Sequence, residues 1–215
     1  MKRSVLAGLV VLAASTPALA QDFPRVDVSG GYQGALVEEE LFSTGWYFDV
    51  AGNVTPWLGI VFQVGGNSRS LSQTESGTIF IEPPFGPGDV TYTESQTGDA
   101  SLNQYMGGVR LNARGGRVTP FGQFLVGIVK GKSEGTYSYT LTPPVPDFPD
   151  STFSFSDESS DFAIQFGGGV DIRIAGGFGL RAGGDYIKVF PEADEFGETE
   201  GGNIFRWAVG GVYSF

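Results

Sequence analysis

Phe205-Arg206-Trp207-Ala208-Val209-Gly210-Gly211-Val212-Tyr213-Ser214-Phe215, the last eleven residues, alternates between two kinds of side chain. Phe205, Trp207, Val209, Gly211, Tyr213 and Phe215 share one parity; Arg206, Ala208, Gly210, Val212 and Ser214 share the other. A period of two is the signature of a β-strand, whose successive side chains point to opposite faces. Large apolar groups take one face and small or charged groups the other. The same split recurs upstream, with Phe162, Ile164, Phe166, Gly168, Val170, Ile172 and Ile174 against Ala163, Gln165, Gly167, Gly169, Asp171 and Arg173. Strands in soluble cores average about 5–6 residues, whereas a strand crossing a bilayer needs about 9–11. Alternation sustained this long points to membrane-spanning strands.

Working back along the chain, the pattern predicts eight strands, near 25–34, 45–54, 57–66, 102–113, 118–130, 161–174, 178–189 and 202–215. Short links between them carry turn chemistry: Pro56, Gly115-Gly116 and Gly176-Gly177. Alternate links are long and polar, above all 67–101 and 131–160, which are rich in Ser, Thr, Pro and acids, with shorter ones at 35–44 and 190–201. Short turns at one end and long loops at the other are the layout of an all-β, eight-stranded antiparallel up-and-down transmembrane β-barrel. An even strand number lets the first and last strands pair and removes the edges. The mean hydropathy of -0.01 is compatible with this, because half of each strand faces a polar lumen.

Composition narrows the chemistry. The 215 residues include 13 Lys plus Arg against 24 Asp plus Glu, for a net charge of -11, with no His and no Cys. Imidazole and thiolate catalysis, the corresponding metal sites and disulfides are thereby excluded. The acidic balance argues against a nucleic-acid partner. Glycine, at 34 residues, is about twice its average usage. Residues 1–20 read as a cleaved secretory signal peptide: Lys2 and Arg3, an apolar run from Val5 to Ala14, and Ala18-Leu19-Ala20. Lys2 and Arg3 are its only charges, so residues 21–215, the predicted barrel domain, hold 11 basic and 24 acidic side chains and a charge of -13.

Several segments carry a family likeness: Tyr105-Met106-Gly107-Gly108-Val109-Arg110-Leu111-Asn112 followed by Val118-Thr119-Pro120-Phe121, then Gly167-Gly168-Gly169-Val170-Asp171, Gly179-Leu180-Arg181-Ala182-Gly183-Gly184-Asp185-Tyr186 and the terminal Gly210-Gly211-Val212-Tyr213-Ser214-Phe215. Together they resemble outer-membrane β-barrels of the OmpA/OmpX/opacity type in Gram-negative bacteria, over essentially all of 21–215. The resemblance implies an outer-membrane location and an assembly signal read by the barrel-assembly machinery, at Phe215 and Tyr213. The sequence departs from full-length OmpA proteins in stopping at its last predicted strand, so peptidoglycan anchoring through their periplasmic domain is not expected. Barrel enzymes of that membrane rely on His, so no enzymatic activity and no cofactor are expected.

Strand parity sorts the remaining residues. Trp46, Phe48, Val50, Leu58, Ile60, Phe62, Tyr105, Val109, Phe124, Val126, Ile128, Leu180, Tyr186, Trp207 and Tyr213 face lipid, and Trp46, Trp57, Tyr105, Tyr186, Trp207 and Tyr213 form aromatic girdles at the headgroups. The opposite parity predicts a lumen network of Asp27, Asp49, Arg110, Asp171, Arg173, Arg181, Asp185 and Arg206, with Gln33, Gln104, Gln123 and Gln165. Four acids against four arginines read either as a salt-bridged plug or as a narrow, selective path. The fifth strand is ambiguous, with Phe121, Phe124 and Leu125 placing apolar groups on both faces. The long links together with the adjoining Asp161 hold 19 of the 24 acids, opposed by Arg69, Lys130, Lys132 and Lys188. Solvation of a surface is the plainest role for them, with divalent-ion bridging to lipopolysaccharide phosphates as a second reading. Proline-rich stretches at 82–88 and 142–149 suggest hairpin tips that offer Phe85 and Phe148 to a ligand or host surface. The expected role is non-enzymatic: envelope integrity or surface interaction, in contact with outer-membrane lipids and lipopolysaccharide. The alternatives are a porin-like or OmpW-like narrow channel, and a soluble barrel that binds a ligand.

Overall fold

The computed structural model describes residues 23–37, 40–82, 88–145, 148–191 and 202–215; the expected signal peptide, Glu38, Glu39, Phe85, Asp147 and the acids of 192–200 lie outside them. Regular structure among the described residues is all β: β1 (Val26–Val37), β2 (Glu40–Phe42), β3 (Thr44–Asn53), β4 (Leu58–Ile81), β5 (Gly88–Asn112), β6 (Val118–Thr142), β7 (Ser151–Ala175), β8 (Phe178–Phe190) and β9 (Asn203–Ser214). Neighbours pair antiparallel in chain order, and β1 pairs with β9 to close the ring. The short β2 pairs with the end of β1, and β3 with its beginning, the register shifting by one residue across Ser43. Together β2 and β3 form one wall, so nine strands make the eight walls expected.

Register fixes the shape of the closed sheet. Following paired residues from Asp27 through Ala51, Val61, Gly108, Leu125, Gln165, Ile187 and Ile204 returns to β1 at Val37, ten residues above the start. With a rise of about 3.3 Å and a strand spacing of about 4.8 Å, that stagger tilts the strands by about 40°. Outward side chains such as Trp46, Phe62, Tyr105, Phe124, Phe166 and Leu180 are around half exposed. They wrap the barrel in an apolar belt about 25 Å tall, the height of a hydrocarbon layer around such barrels. Phe121 and Leu125 turn inward and Phe124 outward, which resolves the fifth predicted strand.

The closing seam depends on glycine. Gly30 and Gly31 of β1 face Gly211 and Gly210 of β9. A Cβ on Gly31 would lie 2.2 Å from the Val209 carbonyl oxygen, and one on Gly210 would lie 2.3 Å from that of Gly30. The short turns use glycine differently, with Gly116 and Gly176 at φ of 106° and 56°.

The long links correct the sequence reading. Stretches 67–101 and 131–160 are continuations of β4–β5 and β6–β7, whose strands run 24 or 25 residues. Thr and Ser alternate with Leu71, Gln73, Glu75 and Ile79 on β4, so the period of two persists without an apolar face. Thr suits a pleated, half-buried strand surface, and hydroxyl pairs join the strands: Thr74 with Ser95 at 3.3 Å, Ser76 with Thr93 at 3.2 Å, and Thr136 with Ser154 at 3.1 Å. The inner face gains a small core of Val90, Leu141 and Val145 under the stacked rings of Tyr92 and Tyr139. The proline-rich stretches fall between the paired strands, with Phe148 59% exposed. Among the described residues, 69–81 and 151–161 have a strand on one side only, and Asp157, Glu158 and Asp161 charge the second of these edges, which discourages stray pairing.

Candidate functional site

The lumen is filled from the turn end upward. At its floor Asp27 accepts hydrogen bonds from Asn53 Nδ2 at 2.8 Å and from Arg114 Nη2 at 2.7 Å. Above it, Asp49 is 1% exposed and accepts from Ser29 Oγ at 2.8 Å, from both terminal nitrogens of Arg110 at 3.2 and 3.1 Å, and from Arg181 Nη1 at 2.9 Å. Arg181 also grips Asp171 through Nε and Nη2, both at 2.7 Å. The guanidinium carbons of Arg110 and Arg181 each lie 4.8 Å from the centroid of Phe121, a cation–π arrangement that favours desolvated guanidinium.

From there the bonds climb. Arg110 donates to Gln123 Oε1 at 3.1 and 2.8 Å, and Gln123 Nε2 donates to Asp185 Oδ1 at 2.8 Å. Arg206 pairs with Asp185 and donates to Gln33 Oε1 at 3.1 Å. Gln104 meets that same oxygen at 3.1 Å, while Gln33 Nε2 reaches Asn67 at 2.8 Å. Gln165 bonds Gln63 separately at 3.0 Å. The chain from Asp171 to Asn67 and Gln104 draws residues from all eight walls. The cavity among Asp49, Arg110, Phe121, Arg181, Asp185 and Arg206 is about 10 Å³, room for roughly one water molecule.

Of the eight network residues named from sequence, Asp27, Asp49, Arg110, Arg181, Asp185 and Arg206 are buried and Asp171 is half-buried. Arg173 has the inward parity but is exposed at the turn-end rim, because β7 there is still paired with β8 but has run past the start of β6. Its expected place as fourth cation is taken by Arg114, which reaches in from the 113–117 turn to Asp27. Alternation could not reveal Arg114, because a turn residue has no strand parity. Sequence reading also missed what lies above the network. Phe42, Val129, Ala163, Ile187, Val189 and Ile204 are buried at the loop end, backed by Val37, Ala100 and Leu102. This apolar layer caps the polar one.

On the outside, the register places Trp46, Tyr105, Tyr186 and Trp207 at similar heights near the loop end, and Trp57 and Tyr213 near the turn end. Tyr186 donates its hydroxyl to Asn203 Oδ1 at 2.6 Å. Phe215 is 68% exposed and meets the Tyr213 ring edge-on at 4.6 Å. Its backbone is tied to β1 through Val26 O at 2.9 Å and Arg25 N at 2.8 Å. Among the described residues no group of three His, Cys, Asp or Glu is placed to hold a metal ion.

Comparison with known proteins agrees with this architecture. Among curated proteins none matches. Among solved structures, the chain is similar to Ail, the attachment invasion locus protein of Yersinia pestis, at 15% identity and a TM-score of 0.53, over 90% of this chain and 99% of that one. Neisserial surface protein A matches at 12% identity and 0.37, over 88% and 96%. The outer-membrane protease OmpT of Escherichia coli matches at 11% identity and 0.38, over 94% and 99%. The outer membrane protein beta-barrel domain matches residues 4–215. With that match over a closed, apolar-belted, eight-walled barrel, the chain belongs to the outer-membrane β-barrel family of Gram-negative bacteria.

Proposed function

We propose that this protein is a closed, non-enzymatic barrel that anchors a β-sheet platform at the cell surface. The observation that carries the reading is the network crossing all eight walls around a cavity of about 10 Å³. A conducting path needs a continuous aqueous lumen or a gate that wets; here a polar layer and an apolar layer close the lumen in series. Enzymes of this architecture expose reactive groups to substrate, and this chain has no His or Cys. Barrels of the outer membrane carry short periplasmic turns and longer extracellular loops, so the extended β4–β5 and β6–β7 hairpins lie outside the cell. Their hydroxyl-rich outer face and exposed Phe148, Phe153 and Phe155 provide the interaction surface.

The test is conductance of the refolded protein in a planar bilayer, after the gel shift on boiling has established folding. No discrete openings are expected. Reproducible single-channel steps would replace this reading with the narrow channel.

Assembly is a second part of the proposal. Phe215 and Tyr213 present exposed aromatic rings on the outward face at the end of the terminal strand, where the barrel-assembly machinery would read them. Phe215→Ser is expected to lower the amount of folded protein in the outer membrane several-fold while leaving the purified barrel able to refold in detergent. Wild-type levels in cells would remove the signal role.

A further inference from the structure

The hairpins above the barrel have two unlike faces. The outward parity of β4–β7 carries the hydroxyl pairs, while the parity that fills the lumen lower down carries aromatic, amide and acidic groups. Three paired rows cross this inner face from β4 to β7: Leu71, Gly98, Gly135 and Phe155; then Gln73, Gln96, Tyr137 and Phe153; then Glu75, Glu94, Tyr139 and Ser151. In the first row two glycines leave a notch of about 400 Å³. The Phe155 ring lies over Gly135, where a Cβ would come within 2.4 Å of it. Leu71, Phe153 and Phe155 are 54%, 65% and 45% exposed, which on hairpins standing in water marks a contact surface.

The third row sets the sign of the charge. Glu75 and Glu94 face each other directly, a like-charge cross-strand pair that weakens the sheet. Among the described residues neither carboxylate makes a salt bridge, and no third His, Cys, Asp or Glu is placed with them to hold a metal ion. Aromatic rings surround the pair. Tyr139 is paired with Glu94 and stacks on Tyr92 at 6.4 Å. The Tyr92 ring leans over Gly77, where a Cβ would lie 2.6 Å from it. Burial, together with the Glu94 carboxylate beside it, raises the Tyr137 hydroxyl above its usual range. Carboxylates among aromatic faces suit an organic cation.

We infer that this inner face binds an extended cationic polypeptide segment, with a bulky apolar side chain in the notch and an arginine or lysine between Glu75 and Glu94. The inference deepens the proposed reading of the hairpins as an interaction surface and rests on it. Four residues separate Leu71 from Glu75, about 13 Å of strand. In an extended ligand, residues i and i+4 lie that far apart on one face, whereas on a helix they are only about 6 Å apart. A neutral sugar would leave the carboxylate pair uncompensated. A polyanion is repelled by that pair and by the charge of -13 over residues 21–215, while the same field draws cations in.

The barrel is refolded into phosphatidylcholine nanodiscs and titrated, by anisotropy, against a fluorescently labelled peptide, Gly-Phe-Ser-Gly-Ser-Arg-Ser-Gly. Wild type is expected to bind it at least about tenfold more tightly than the same peptide with Glu for Arg, and added salt should weaken binding. Moving the Arg two positions closer to the Phe should cost several-fold. Glu75→Gln with Glu94→Gln should lower affinity by about tenfold and remove the salt dependence. Its thermal midpoint should hold or rise, because a like-charge pair is gone. Leu71→Ser should weaken binding several-fold and keep the salt dependence. Equal binding by the double variant, equal binding of the Glu peptide, or no binding by wild type at about 1 mM peptide overturns the site. Displacement of the peptide by neutral chitohexaose, independent of Glu75 and Glu94, overturns the peptide assignment in favour of a glycan. Both sides of a nanodisc face solvent, so the result does not depend on which way the hairpins point. Binding of the peptide to intact cells tests that orientation, and conductance tests the closed lumen separately.

Discussion

Asp49→Ala is expected to lower folding stability by about 3–5 kcal/mol, the cost of leaving buried charge without its partner. Asp49 is the point where the network converges: both terminal nitrogens of Arg110, one of Arg181 and the hydroxyl of Ser29 end on it. Removing it leaves two guanidinium groups 1% and 4% exposed with Asp171, Gln123 and the Ser29 hydroxyl as their remaining anchors. Urea titration of the barrel in lipid vesicles, followed by tryptophan fluorescence, gives the loss. The quadruple variant Asp49→Leu, Arg110→Met, Arg181→Met, Asp171→Asn removes the linked charges together, Asp171 included because Arg181 is its partner, and is expected to regain most of the stability, because neutral, well-packed groups replace buried ion pairs at little net cost. An Asp49→Ala barrel as stable as wild type would mean that the network does not hold the walls together. Conductance that appears in Asp49→Ala would add that the polar layer, rather than the apolar cap, is the tighter seal.

Gly31→Val is expected to prevent closure. A side chain at this position would meet the Val209 carbonyl oxygen at 2.2 Å and Gly210 Cα at 2.5 Å, and both are backbone atoms of the strand that must pair with β1. No rotamer relieves a clash made at Cβ itself. The seam must open or β1 must shift, and a shift by one residue would turn Asp27, Ser29 and Gln33 toward lipid. The expected result is loss of the compact, heat-modifiable gel form, with refolding yield reduced by at least tenfold. Gly52→Ala, where nothing lies within 4 Å of the added Cβ, is the matched control and should fold normally. Normal folding of Gly31→Val would show that the seam adapts more than this geometry allows.

The fold was legible because a lipid-facing strand writes its environment into every second residue. Phe205 to Phe215 and Phe162 to Ile174 place bulky groups outward and small or charged groups inward, and the structure follows that parity on all eight walls. The Ser/Thr stretches read as long polar links with only their proline-rich tips suggesting hairpins, because hairpins standing in water need no apolar face and their alternation is between polar and polar. The lumen was half legible. Parity identifies Asp49, Arg110, Arg181, Asp185 and Arg206 as inward, because a charge on the lipid face is costly, but parity gives no height along the barrel axis.

The strand period, the even number of walls, the turns at Gly116 and Gly176 and the outward parity of every wall but the fifth can be read from the sequence. Tertiary structure alone decided the ten-residue stagger, and with it everything that depends on which inward residues share a level. That stagger brings Asp49 of β3 to Arg181 of β8, puts Arg114 in place of Arg173 and stacks an apolar cap over the charged layer. The reason is physical: side-chain direction is a local property of the strand, whereas shear belongs to the closed ring and exists only once β1 and β9 have paired.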